Sequence, residues 1–181
     1  MFSVVREAVP DDALLKTYIG DSHPERWGTY ADCFAVWVDS EVSLSDFVFA
    51  FYTSPVFRIE RFILRVLVNA PSSQADAREV ADGLTDEFAA WYVGARTATQ
   101  LLMCDRYEST RSWFRVAPVT GGGTRLQFGS AVAAKRDENT GDRALGAGFH
   151  LLLRFHIFYS QLLLHAAKAK LLTAGYTALP R

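Results

Sequence analysis

Two hydrophobic periods alternate along this chain. Helical spacing dominates the first half, interrupted by one strand-like run; a two-residue alternation takes over from about residue 88 to 133; helical spacing returns from 149 to 173. Near the start, Pro10, Asp11 and Asp12 suit the first turn of a helix, where spare N–H groups and the dipole favour proline and acids. Leu14, Leu15, Tyr18 and Ile19 follow at helical spacing, and Gly20 ends the run. The stretch DSHPERWGT (21–29) reads as a loop, and the aromatic, β-branched YADCFAVWV (30–38) as the first strand. Ser43 with Asp46 is an N-cap pattern without the Glu or Gln of a full capping box. Proline removes an N–H and clashes with the preceding turn, so Ser54-Pro55 reads as the N-cap and first position of a new helix. Two consecutive helices follow, over about 44–53 and 55–67, the second with an apolar stripe of Val56, Ile59, Phe62, Ile63 and Val66. Ala77, Val80, Ala81 and Leu84 mark a short helix over 74–83.

Four strands are expected after that, over 88–95, 98–105, 111–118 and 124–133. Arg106–Thr110 and Thr120-Gly-Gly-Gly-Thr124 supply turn chemistry. In the last two strands, Ser112, Phe114 and Val116 share a face, as do Leu126, Phe128, Ser130 and Val132; these are the expected core side. Arg111, Trp113, Arg115 and Ala117, with Arg125, Gln127 and Gly129, form the opposite face, expected to be wet, with Trp113 covering Gly129. A polar loop over 135–143 leads to a long helix, firm from Phe149 to Thr173.

This order of elements resembles the START-like, or SRPBCC, superfamily with its helix-grip fold. The likeness runs from about Tyr30 to the C-terminus. It implies an α+β fold in which one strand precedes a helix pair, a curved antiparallel sheet follows, and a long C-terminal helix lies across the sheet. The chain reads as one domain, 1–181, with 1–29 as an N-terminal helical arm and 30–181 as the helix-grip core. The resemblance further implies a cavity between sheet and C-terminal helix, in a family whose members bind or transform hydrophobic small molecules.

Composition narrows the function classes. The 181 residues are 50% hydrophobic and 22% charged, which excludes a disordered chain. A net charge of −1 lacks the footprint of a general nucleic-acid binder. The two cysteines, Cys33 and Cys104, sit in apolar runs with no disulfide or zinc spacing and read as buried thiols. No apolar signal segment opens the chain, so the expected location is the cytoplasm. Residues 149–172 are long enough to span a membrane but carry His150, Arg154, His156, Gln161, His165, Lys168 and Lys170; stable membrane insertion is not expected. The histidines lack metal-ligand spacing and Gly121-Gly122-Gly123 precedes a strand, so neither a metal nor a phosphate cofactor is implied.

The long helix carries the candidate site. His150, Arg154, Gln161, His165 and Lys168 form a polar stripe at about 100° per residue, and most of the remaining surface is apolar. That arc is wider than one sheet face covers. His156 and Ser160, one turn apart, interrupt it beside Phe149, Leu152 and Leu163. An unpaired imidazole in such a setting costs about 1–3 kcal/mol, so something polar meets it. That partner is either the protein itself or a ligand in a mostly apolar pocket. The expected ligand-binding residues are His156, Ser160 and Tyr159, with Trp91 and Arg96 at the cavity mouth; a guanidinium there matches a ligand carboxylate. The leading expectation is therefore binding of a hydrophobic or amphipathic small molecule. The alternatives are a lyase, cyclase or hydrolase using His156 with Ser160 or Arg96, and a module whose apolar helix face forms a homodimer.

Overall fold

The computed structural model of the chain describes residues 4–19, 30–59, 72–106, 110–132, 135–136, 143–144 and 149–176. The strands are β1 (Val5–Glu7), β2 (Tyr30–Val38), β3 (Glu87–Phe88), β4 (Trp91–Arg96), β5 (Gln100–Asp105), β6 (Thr110–Pro118) and β7 (Thr124–Val132), with a ribbon of β8 (Lys135–Arg136) and β9 (Arg143–Ala144). The first seven form one curved, unclosed antiparallel sheet in the order β1-β2-β7-β6-β5-β4-β3. The helices are α1 (Leu14–Ile19), α2 (Leu44–Tyr52), α3 (Gln74–Asp82) and α4 (Phe149–Thr173). This is the expected α+β arrangement, compatible with a helix-grip fold, with α4 packed over β2 and against α2.

Local chemistry accounts for the element ends. Ser43 caps α2 by accepting from the Asp46 N–H at 3.0 Å. The helix stops at Thr53, and residues 55–59 form a new helical segment whose cap is Ser54: its Oγ accepts from Phe57 N–H at 3.2 Å. The break at Ser54-Pro55 is thus present, while 60–67 lies outside the described residues. At α3, Ser73 and Asp76 form a reciprocal capping box. Gly83, at φ +76°, closes α3, which leaves Leu84 beyond the helix and exposed rather than on its apolar face. The glycine run makes the β6–β7 hairpin, all three residues having positive φ.

Alternation places the two faces of the sheet as read from the sequence. Three rows cross β6, β7 and β2 on one face: Ser112–Ser130–Asp32, Phe114–Phe128–Phe34 and Val116–Leu126–Val36. Phe47, Phe51 and Tyr52 of α2 and Leu163, Leu164, Ala167 and Leu171 of α4 close over them. Phe51 meets Phe114 edge-on at 4.8 Å and Phe128 at 4.7 Å between ring centroids. The wide apolar arc of α4 is therefore met partly by α2. Leu163 is buried as its position on the arc implies; Leu152, His150 and Arg154 fall where side chains are not described. In the 55–59 segment Phe57 faces inward and Ile59 is 65% exposed, so the stripe drawn through Ile59 is rotated: the short segment turns Phe57 toward Tyr52 and Phe88.

The opposite face is not wet. Trp113 is fully buried and Arg111 and Gln127 nearly so, because the N-terminal arm lies against them. Leu15 and Ala13 pack with Trp113, Cys33, Leu102 and Cys104. Gln100 holds the arm: its Oε1 accepts from Leu14 N–H at 2.9 Å and Trp113 Nε1–H at 2.8 Å, while its Nε2 donates to Asp12 O at 3.1 Å. Arg115 grips the Asp12 carboxylate with two bonds of 2.8 Å. Asp11 and Asp12 consequently stand in a turn ahead of α1 rather than in its first turn. Glu7 on β1 takes Arg125 and Gln127. The arm thus contributes a strand as well as a helix. Trp113 does cover Gly129: a Cβ there would meet Asp32 O at 2.8 Å and Trp113 at 3.0 Å. The segment expected to be a loop over 135–143 begins and ends in the β8–β9 ribbon.

Candidate functional site

A cavity of about 250 Å3 lies between α4 and the ends of β6 and β7. Its position follows from the rows described above. The aromatic row of the sheet is filled by α2, but the next row, Ser112–Ser130–Asp32, has small or polar side chains and lies beyond the end of α2. Space remains there, walled by Phe51, Tyr52, Phe57, Trp91, Phe128 and Tyr159, with Ser112, Ser130, His156 and Ser160 among its polar lining. Among the described residues, seven buried phenylalanines therefore pack the core without closing this end.

A chain of hydrogen bonds forms the polar end. Asp32 and Ser130 are direct cross-strand partners on β2 and β7. The Ser130 hydroxyl donates to Asp32 Oδ1 at 2.7 Å, and its backbone N–H reaches the same oxygen at 3.3 Å. Tyr30 donates to Asp32 Oδ2 at 2.9 Å. His156 Nε2 lies 2.6 Å from Ser130 Oγ and 3.7 Å from Asp32 Oδ2. The Asp32 side chain is fully buried and that of His156 is 32% exposed. Burial first, and the Asp32 carboxylate beside it second, push the Tyr30 phenol far above its ordinary range, so it stays a donor.

The order of groups limits the chemistry. Ser130 has one hydroxyl proton, which goes to Asp32, so Nε2 of His156 donates to Ser130 Oγ. A nucleophilic serine needs the opposite order, with the imidazole accepting its proton and the acid behind the imidazole. Ser130 is not set up as a nucleophile. In the neutral ring the accepting nitrogen is then Nδ1.

His156, Ser160, Tyr159 and Trp91 all line this cavity. Arg96 does not. Its guanidinium bonds the Ala81 carbonyl at 3.2 Å and the Val80 carbonyl, finishing the C-terminus of α3, and burial pulls its pKa below the ordinary value. Unsatisfied carbonyls at a helix end outcompete a place at the mouth. Arg115 pairs with Asp12 on the other face, while Arg111, which is among the cavity-lining residues, pairs with Asp105. Asp32, Ser130 and Tyr30 escaped attention as site residues. The available signal was an acid inside an apolar strand, on the same alternation as Phe34 and Val36. Both cysteines are buried, and burial, with Glu7 next, pushes the Cys33 thiol up to about 12.

Among the described residues no group of three His, Cys, Asp or Glu side chains is placed to hold a metal ion. No helix of the described residues is long and apolar enough to cross a membrane. Comparison with known proteins found no family model, no curated protein and no solved structure that matches the chain.

Proposed function

We propose that the protein binds a small hydrophobic or amphipathic molecule between its sheet and α4, as a helix-grip protein of the START-like, or SRPBCC, type. The observation that carries this reading is the make-up of the cavity: largely aromatic walls with Ser130 and His156 joined at one end and Asp32 buried behind Ser130. Ligand sites combine apolar walls with a few convergent polar groups, usually in about 300–1,000 Å3. A volume of about 250 Å3 suits a compact molecule of one or two rings better than a long acyl chain. Trp91 in the wall supplies a reporter. Titration with one- and two-ring aromatic compounds, followed by calorimetry and by fluorescence against a Trp91→Phe control, should give saturable one-to-one binding. Ser160→Trp, which fills the cavity, should abolish it. No saturable heat from any compound would overturn the reading.

A second reading, acid–base catalysis by His156 on a lyase- or cyclase-type substrate, draws support from the Asp32–Ser130–His156 chain, which leaves Nδ1 as the proton-accepting atom. Turnover of a bound compound, present in the wild type and lost in His156→Leu, distinguishes it from simple binding.

A further inference from the structure

The polar end has a definite donor and acceptor pattern, and that pattern discriminates between ligands of the same shape. Ser130 and Tyr30 spend their hydroxyl protons on Asp32, and His156 spends its Nε2 proton on Ser130. What a neutral His156 has left is the lone pair on Nδ1, an acceptor. Behind it stands a carboxylate with no exposed side-chain surface, whose direct partners are two hydroxyls and a backbone N–H.

Among the described side chains, the nearby cations are engaged elsewhere. Arg6 donates to the Tyr30 hydroxyl at 3.5 Å, on the strand side of the network and one residue behind Asp32 from His156. Arg96 serves the α3 carbonyls, Arg111, which is among the residues lining the cavity, pairs with Asp105 at 3.5 Å, and Lys170 donates to Thr53 O at 2.9 Å. A ligand carboxylate at this end would add a second negative charge beside Asp32 in a poorly solvated space, where like charges repel strongly. A hydroxyl brings the proton that Nδ1 lacks and no charge. The rings of Phe57, Trp91, Phe128 and Tyr159 offer flat faces to an aromatic body.

Building on the small-molecule reading above, we propose that the cavity selects a neutral, hydroxyl-bearing aromatic, of phenol or naphthol type, over the carboxylate of equal shape, with the hydroxyl proton directed to His156 Nδ1. This reverses the ligand chemistry that an arginine at the mouth would favour.

Three probes test it: 2-naphthol, naphthalene and 2-naphthoate, titrated calorimetrically into the full chain at pH 8. In the wild type, 2-naphthol should bind about tenfold more tightly than either of the others, the size of one net hydrogen bond. His156→Leu should bring 2-naphthol to the level of naphthalene while naphthalene binding persists. Ser130→Ala, which removes the group that holds Nε2 as donor without altering α4, should shrink the preference severalfold and serves if His156→Leu does not fold. Equal or tighter binding of 2-naphthoate, or a naphthol preference that survives in either variant, would overturn the inference while leaving the small-molecule reading in place. If none of the three probes binds, the inference falls, and the small-molecule reading stands or falls with the wider panel of one- and two-ring compounds.

Discussion

The two faces of the sheet are buried by different means. Toward α2 and α4, the strands present apolar rows and helices cover them with rings and aliphatic side chains. Toward the N-terminal arm, the strands present Gln100, Arg115, Arg125 and Gln127 around Trp113, and the arm brings Asp12, Glu7 and the Leu14 N–H to meet them. The first face excludes water because little on it binds water. The second excludes water because its polar groups have found specific partners, as buried polar groups must. A polar strand face therefore does not report solvent exposure when another segment carries complementary groups. The cavity belongs to the first face, where that logic fails locally: a row of serines and an aspartate runs past the end of the covering helix.

The largest expected effect lies on the apolar face. Phe51→Ala should destabilise the protein by about 3–5 kcal/mol in a denaturant titration, because it removes a ring that joins Phe114 and Phe128 and leaves a void continuous with the cavity. A change under about 1 kcal/mol would mean that α2 does not clamp the aromatic row.

An intermediate effect is expected on the arm face. Gln100→Leu strands the Trp113 Nε1–H and the Leu14 N–H, each without its acceptor. The expected loss is about 1–3 kcal/mol, with faster amide exchange over residues 4–19 and no change in the core around Phe51. Uniform loss of protection across both faces would erase the contrast drawn above.

The smallest effect lies at the rim, where α2, α3 and Tyr176 meet. Burial alone would raise the Asp46 carboxyl, but hydrogen bonds from Ser43 and Tyr176 and the Arg78 guanidinium outweigh it and hold the pKa below the ordinary value. A lowered folded pKa means that the stabilisation is complete above the unfolded value, about 3.9, and is lost as pH falls through the folded one. Asp46→Asn should flatten the acid limb of thermal stability measured over about pH 3–7. An unchanged acid limb would detach Asp46 from this rim.

Much of the fold was legible in the sequence. β2 and α4 begin and end at the residues their patterns indicate, the chain breaks at Ser54-Pro55, and the core side of β6 and β7 faces the helices. Such features depend on neighbours a few residues away: side-chain periodicity, a proline that cannot donate, a serine ahead of a helix. The helical spacing also brought His156 and Ser160 to one side of α4. What only the tertiary structure decided is who meets whom across long stretches of chain. Asp32 and Ser130 face each other because β2 pairs with β7, 98 residues apart. Arg115 finds Asp12 at a separation of 103, and Arg96 turns to the end of α3 instead of the cavity. β1, at three residues, is too short to carry a period and exists because β2 offers an edge. Periodicity records which side of an element faces inward, but a polar side chain's partner is set by sheet order and the path of the covering segments, and these are properties of the whole chain packed at once.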